Sequence, residues 1–309
     1  MANVNWTKLR QSLIGDRNGS VLPPNIPLPM LPQVVMEFSR KAEDPDAGPC
    51  ELGRIIESDG GLTCELLRYV NSAKFGLKVK ASSAQQAIAT LGIRASKLFL
   101  LTTGVQQAMK AHKSKLINIP LFWLANLERA LFARETARLL RANGDVAFAG
   151  SMLHDFLLPL LSNEKYDAYV KYTMIEQAER PNLVDFERKA FGWDHSLAAA
   201  QVLLSWSFPD DLVCCVLLHH GGLKMLQDQE LGKTAVAAVA VAALIPDVLY
   251  QSRAGVEQLV ELAGVWPEFQ LEEMAQRVAQ QMAEMTPLAG QHFSLERRCE
   301  KLLHAAVEA

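Results

Sequence analysis

Apolar residues recur along this chain at the spacing of a helix face, and no segment shows the two-residue alternation between tight turns that marks a half-buried strand. In ELGRIIESDGG, Leu52, Ile55 and Ile56 fall on one stripe, and in LTCELLRYVNSA so do Leu62, Leu66, Leu67 and Val70. A chain without strands builds its core by packing helix on helix, so the period alone predicts an all-α, multi-helical fold.

Helix signals divide the sequence further. Residues 1–27 end in the proline-rich run VLPPNIPLPMLP and read as an N-terminal arm leading into a helix that starts near Pro32. That helix carries Val34, Val35 and Phe38 and stops at AEDPDAGP. Gly60-Gly61 separates the next two helices, and Ser83 and Gly92 bracket another as N-cap and stop. Asn71 and Ser72 in NSAKFG are placed to bond the local backbone at a helix end, with Gly76 permitting a turn. Short helices thus fill 28–115.

A long amphipathic helix, FWLANLERALFARETARLL, opens a second set, and its Arg129, Arg134, Arg138 and Arg141 read as a solvated face with ordinary ion pairs. VAFAGSMLHDFLLPLL reads as a buried segment; helices follow around Asp185–Phe191 and His195–Trp206, and DLVCCVLLHHGG closes the set near 223. Trp193 and Trp206 read as core anchors. Residues 224–309 read as a C-terminal helical extension, in which Leu271, Met274, Val278, Met282 and Met285 line one face. That stripe suits a core, and it is also the candidate surface for a homo-oligomer or another partner.

Several function classes are disfavoured. Half the 309 residues are hydrophobic and 21% are charged, which argues against disorder, and a net charge of −3 argues against a nucleic-acid-binding face. The apolar run Ala235–Leu249 is too short for a bilayer span of about 20 residues, and MANVNWTKLR lacks the apolar core of a signal peptide. A cytoplasmic protein with no membrane partner is the expectation. Cys50, Cys64, Cys214, Cys215 and Cys299 include no CxxC pair and read as buried free thiols. No P-loop, nucleophile elbow or Rossmann fingerprint occurs.

Chemistry concentrates in histidines set among apolar residues: His154-Asp155 in MLHDFLL, His195 after FGWD, and His219-His220 at the end of an apolar helix. A buried carboxylate beside an imidazole needs a proton, a metal or hydrogen bonds to offset its lost hydration. Imidazole with carboxylate suits a divalent ion that activates water. Internal hydrogen bonding alone is the competing account.

These residues fall within a pattern that resembles the HDOD domain, a relative of the HD phosphohydrolases. It comprises LPMLPQVV at 28–35, ELGRIIESDGGLTCELLRYVNSAKFG at 51–76, SSAQQAIATLG at 82–92 and Trp123 opening a long helix. AGSMLHDFLLPLL at 149–161, FGWDHSLAAAQVLLSW at 191–206 with Pro209 behind it, and His219-His220 complete it. The resemblance implies an HDOD domain over 28–223, with an N-terminal helical lobe (28–115) packed on an HD-like lobe (116–223), and a bacterial regulator working beside cyclic-dinucleotide or two-component signalling. An active HD site takes a His from the long helix, the His-Asp pair, and a later Asp. Aligned on that pattern, Ala125, followed by Asn126, stands where the first His belongs, and Ala242 or Ala243 where the last Asp belongs, with Asp247 about one turn further on behind Pro246.

The expectation is therefore a non-catalytic signal-transduction module that binds unidentified signalling proteins. Its vestigial metal site would comprise His154, Asp155, His195, His219 and His220, with no cofactor beyond a weak or adventitious divalent ion. The alternative is a metal-dependent phosphohydrolase acting on a nucleotide or cyclic dinucleotide.

Overall fold

A computed structural model describes residues 4–15, 21–24, 26–72, 77–110, 112–176, 179–252, 254–286 and 295. Among them every regular element is helical, as the periodicity predicts. The chain divides into two compact units, Pro27–Ala111, and Met1–Ile26 together with His112–Ala309.

The segment expected as an arm carries helix α1 (Trp6–Ile14), N-capped by the Asn5 side chain. Helix α1 belongs to the larger unit, where Arg10 Nε and Thr7 Oγ1 donate to the two carboxylate oxygens of Asp210 at 2.6 and 2.7 Å.

The smaller unit holds α2 (Gln33–Lys41), α3 (Pro49–Glu57), α4 (Gly60–Val70), α5 (Ala84–Leu91) and α6 (Ile93–Lys110). Asp59 caps α4 by accepting from Leu62 N, so Gly60 and Gly61 lie in the first helical turn and not in a separating loop. Ser83 caps α5, and Gly92 at φ 83° ends it, as their sequence positions predict. Asn71 pairs with the Ala81 backbone in both directions at 2.8 Å, and Ser72 donates to Tyr69 O. Gly76 lies outside the described residues. Helix α6 is longer than the short helices expected here because Gly104 does not break it; a Cβ at that position would sit 3.0 Å from the Val35 side chain, so the glycine is a packing notch.

The larger unit continues with α7 (Ile119–Leu139), α8 (Gly144–Leu153), α9 (Leu158–Glu164), α10 (Tyr166–Met174), α11 (Leu183–Phe191), α12 (His195–Ser205) and α13 (Asp210–Leu217). A 3₁₀ turn (His219–Gly221) and α14 (Lys224–Gln227), α15 (Ala235–Ala242), α16 (Gly255–Val265) and α17 (Leu271–Met285) complete it. All eight residues of α15 are buried, and this helix packs against α7, α8 and α13. Residues 224–309 therefore supply a central core helix, whose small side chains let three neighbours approach it. Gly150 of α8 serves the same closeness, since a Cβ there would lie 2.6 Å from Cys215 Cβ of α13.

One expectation about side chains is corrected, and another holds in part. Cys214 and Cys215 are buried, but Cys50 and Cys64 are exposed, because α3 and α4 turn those positions away from their apolar stripes; Cys299 lies outside the described residues. In α17, Leu271, Met274, Ala275 and Val278 are buried and the helix packs on α7, whereas Met285 at the far end is exposed. Among the described residues no single helix is long and apolar enough to cross a membrane; the pair α5–α6 qualifies only jointly, across a 116° bend.

Candidate functional site

The His-Asp pair sits where a helix is forced to stop. A proline ring clashes with the carbonyl four residues earlier, which for Pro159 is the carbonyl of Asp155. Helix α8 accordingly ends at Leu153 and α9 begins at Leu158, with Asp155 O accepting instead from Leu158 N at 2.9 Å. His154 and Asp155 occupy the break and are both 1% exposed.

Three other segments converge on it. Asp194 caps α12 and sets His195 as the first helical residue, fully buried. Helix α13 gives way to the 3₁₀ turn that carries His219 and His220, and the chain leaves through Gly222 at φ 55°. After α15 the chain turns through Asp247 and Gln251, with Tyr250 held at φ 53°, a conformation costly for a bulky residue.

The fourth contributor is Arg129 of α7, which the sequence reading had assigned to a solvated face. It is 1% exposed and among the largest fully buried side chains. Its Nη1 donates to Asp155 Oδ2 and to His154 Nε2, each at 2.9 Å. Its Nε and Nη2 donate to the Ile245 carbonyl at 2.9 and 2.8 Å, and Nη2 lies 3.7 Å from Asp247 Oδ1. The guanidinium thus lies among His154, Asp155 and Asp247. Asp247 was placed a turn beyond the ligand position Ala242 or Ala243, yet the turn after α15 swings its buried carboxylate back to the cluster. Ala125, which the resemblance sets where the first histidine of an HD site would stand, lies one turn before Arg129 on the same helix and is buried. Gln251 ties the two carboxylates together, its Nε2 donating to Asp155 Oδ2 at 2.5 Å and to Asp247 Oδ2 at 2.9 Å.

On its other side Asp155 faces a ring of imidazoles. Its Oδ1 lies 3.2 Å from His195 Nε2 and 3.4 Å from His219 Nε2, and it is a buried oxygen without a hydrogen-bond donor. His220 Nε2 is 2.9 Å from His195 Nε2, which is 3.4 Å from His219 Nε2. The opposite ring nitrogens are engaged outward. His195 Nδ1–H donates to Glu187 Oε2 at 2.6 Å, His219 Nδ1–H to Val216 O at 2.6 Å, and His154 Nδ1–H to Ser151 O. Glu187 is in turn held by the Tyr169 hydroxyl at 2.5 Å and the His195 backbone N–H at 2.8 Å. A neutral imidazole that donates from Nδ1 keeps its lone pair on Nε2, so in their neutral forms these rings aim acceptors inward.

The electrostatics follow the geometry. Burial pushes the Asp155 carboxyl upward, but the imidazoles of His154, His195 and His219 beside it outweigh that and hold the group well below the ordinary carboxylate range. Burial lowers His195, yet Glu187 and Asp155 raise it on balance to about 10. Burial leaves His219 at about 4 and His220 well below its ordinary value, so both are neutral. Asp155, His195, His219 and His220 present four ligand atoms within 4.8 Å of one another and could hold a metal ion.

All five histidine and aspartate positions singled out from the sequence therefore meet in one buried cluster. Arg129, Glu187, Gln251 and the participation of Asp247 were missed. Arg129 stands four residues after Ala125 and so shares its helix face, which is the one sequence signal that pointed to it.

The comparisons with known proteins agree on the fold. A curated relative, an uncharacterized protein of Treponema pallidum (strain Nichols), is 25% identical over 201 residues; the match takes in 62% of this chain and 37% of that protein, so the chain spans little more than a third of its relative. A candidate metal-dependent phosphohydrolase from Shewanella amazonensis SB2B superposes with a TM-score of 0.64 at 17% identity, over 91% of this chain and 99% of that one. A candidate signal transduction protein from Marinobacter aquaeolei VT8 superposes with a TM-score of 0.56 at 17% identity, over 93% and 68%. The model of the HDOD domain matches residues 28–221, nearly two thirds of the chain, and the chain belongs to the HDOD family.

Proposed function

We propose that this protein is a non-catalytic bacterial signal-transduction module that acts by binding other signalling proteins. The observation that carries the reading is Arg129. Its guanidinium lies 2.9 Å from both His154 Nε2 and Asp155 Oδ2 and 3.7 Å from Asp247 Oδ1. The pair and the late aspartate of an HD hydrolase would hold an ion in that space; here they hold a tethered cation that has no coordination position for water and cannot be exchanged. With Ala125 in place of the first histidine, hydrolytic chemistry lacks both a ligand and the room for a catalytic ion. The candidate signal transduction protein of similar fold is in keeping with a regulatory role, and the partners would be signalling proteins in the same cytoplasm.

The rival, a phosphohydrolase, draws support from the imidazoles around Asp155 Oδ1 and from the similar fold of the candidate phosphohydrolase. Phosphate release from nucleotides and cyclic dinucleotides with Mn²⁺ or Mg²⁺ separates the two. The expected result is release no faster than the buffer blank. Turnover that disappears in Asp155→Ala would overturn the proposal.

A further inference from the structure

We infer that this chain binds one divalent ion of the zinc class as an internal brace, through Asp155 Oδ1 and Nε2 of His195, His219 and His220. The inference goes beyond the functional reading and stands on geometry independent of it.

Spacing is the first ground. Ligands about 2.0–2.1 Å from a tetrahedral zinc lie about 3.3–3.4 Å from one another. Here Asp155 Oδ1 is 3.2 and 3.4 Å from Nε2 of His195 and His219, which are 3.4 Å apart; His220 Nε2 is 2.9 Å from that of His195, and the four atoms together span up to 4.8 Å, so a bound ion would draw the outermost ligand inward.

Proton placement is the second. Outward Nδ1–H bonds to Glu187 and Val216 O turn the Nε2 atoms of His195 and His219 toward the donorless Asp155 Oδ1, so that in the neutral rings lone pairs face the carboxylate. A proton on His195 Nε2 can reach one of its three neighbours and leaves His219 aimed at the carboxylate, acceptor to acceptor. A proton on His220 Nε2 serves His195 alone. One cation at the centre satisfies all four atoms together.

The placement of charge is the third. Arg129 reaches Asp155 on its Oδ2 side, and no guanidinium or ammonium is placed against Oδ1 among the described residues. A divalent ion would supply positive charge on the side that Arg129 does not serve. Three imidazoles and one carboxylate favour zinc or a neighbouring transition metal over magnesium or calcium, which take oxygen shells. Four protein ligands fill a tetrahedron and leave no position for water, the mark of a structural ion. Glu187 and Val216 O fix ring orientation from behind, as outer partners of metal-bound histidines do.

The full chain, purified without a polyhistidine tag, stripped with chelator and reloaded with Zn²⁺, would be desalted and assayed for zinc by elemental analysis. One equivalent is expected, with a higher melting temperature than the stripped form, and the Co²⁺ derivative should show the intense visible absorption of a tetrahedral site. Glu187→Gln should weaken Zn²⁺ binding by about 10–100-fold, and His220→Ala, a less buried ligand, at least as much. Far-UV circular dichroism checks that each variant folds, and His112→Ala should bind as the unchanged chain does. Absence of stoichiometric zinc, a weak octahedral cobalt spectrum, or unchanged binding in both variants would overturn the inference. Phosphate release in the same samples keeps the two readings apart. Zinc without turnover upholds both, missing zinc overturns only this one, and zinc-dependent turnover overturns the functional reading and the brace.

Discussion

Replacing Arg129 by methionine isolates the tethered cation, because methionine keeps much of the side-chain volume and removes the charge. The change deprives Asp155 and Asp247 of their shared guanidinium and leaves the Ile245 carbonyl without its two donors. Removing one partner of a buried ion pair costs about 3–5 kcal/mol, because the remaining charge stays buried without compensation. A stranded backbone carbonyl adds about 1–3 kcal/mol, although the terms overlap at one site and do not simply add. A loss of at least 3 kcal/mol or so is expected from a total that for such domains is about 5–15 kcal/mol. Urea unfolding followed by far-UV circular dichroism measures it, with chelator present so that no ion substitutes for the guanidinium. Adding Asp247→Asn to Arg129→Met should recover part of the loss, since it removes a charge that the first change orphaned. A single-variant loss below about 1 kcal/mol, or strict additivity in the double variant, would refute the assignment of Arg129 as the cation that balances this cluster.

Cutting the same residue back to Arg129→Ala leaves His154, Asp155 and Asp247 around a space without a cation, so Mn²⁺ should raise the melting temperature of this variant more than that of the unchanged chain. Gly150→Ala improves helix propensity but drives a methyl into Cys215 Cβ, and thermal melts should show a net loss of about 1–3 kcal/mol from overpacking. In the native chain, thiol reagents should modify exposed Cys50 and Cys64 and spare Cys214 and Cys215, whose burial raises the thiols, Cys214 to about 12, as peptide mass mapping would report.

The sequence exposed the fold because helix periodicity and its stops are local properties. Ser83, Asp59 and Asn118 each accept from a backbone N–H three residues on, and such signals need no knowledge of the rest of the chain. The His-Asp pair and the three further histidines stood out for the same kind of reason, as polar residues in apolar surroundings. The reading failed where the answer depended on how far apart helices lie. Arg129, Arg134, Arg138 and Arg141 look alike along the chain, and only the close packing of α8 and α15 on α7 encloses the first of them. Asp247 lies about one turn beyond the expected ligand position, behind Pro246, yet the turn after α15 returns it to the cluster, and no local pattern encodes that path.

Asp155 is where the proposed replacement of a catalytic ion by Arg129 and the proposed brace ion meet. Its two oxygens face different partners: Oδ2 receives Arg129 and Gln251, and Oδ1 receives no donor and faces His195 and His219. The guanidinium therefore balances only the Oδ2 side, toward His154 and Asp247. On the imidazole side Glu187 accepts from His195 Nδ1–H and so turns the ring's Nε2 toward Oδ1. Substituting Arg129 and substituting His220 should thus have separable consequences, the first on folding without metal and the second on metal uptake. A hydrolase would couple those effects through one shared water, whereas here the two half-sites meet at the carboxylate of Asp155 and at the edge contact of the His154 and His219 rings.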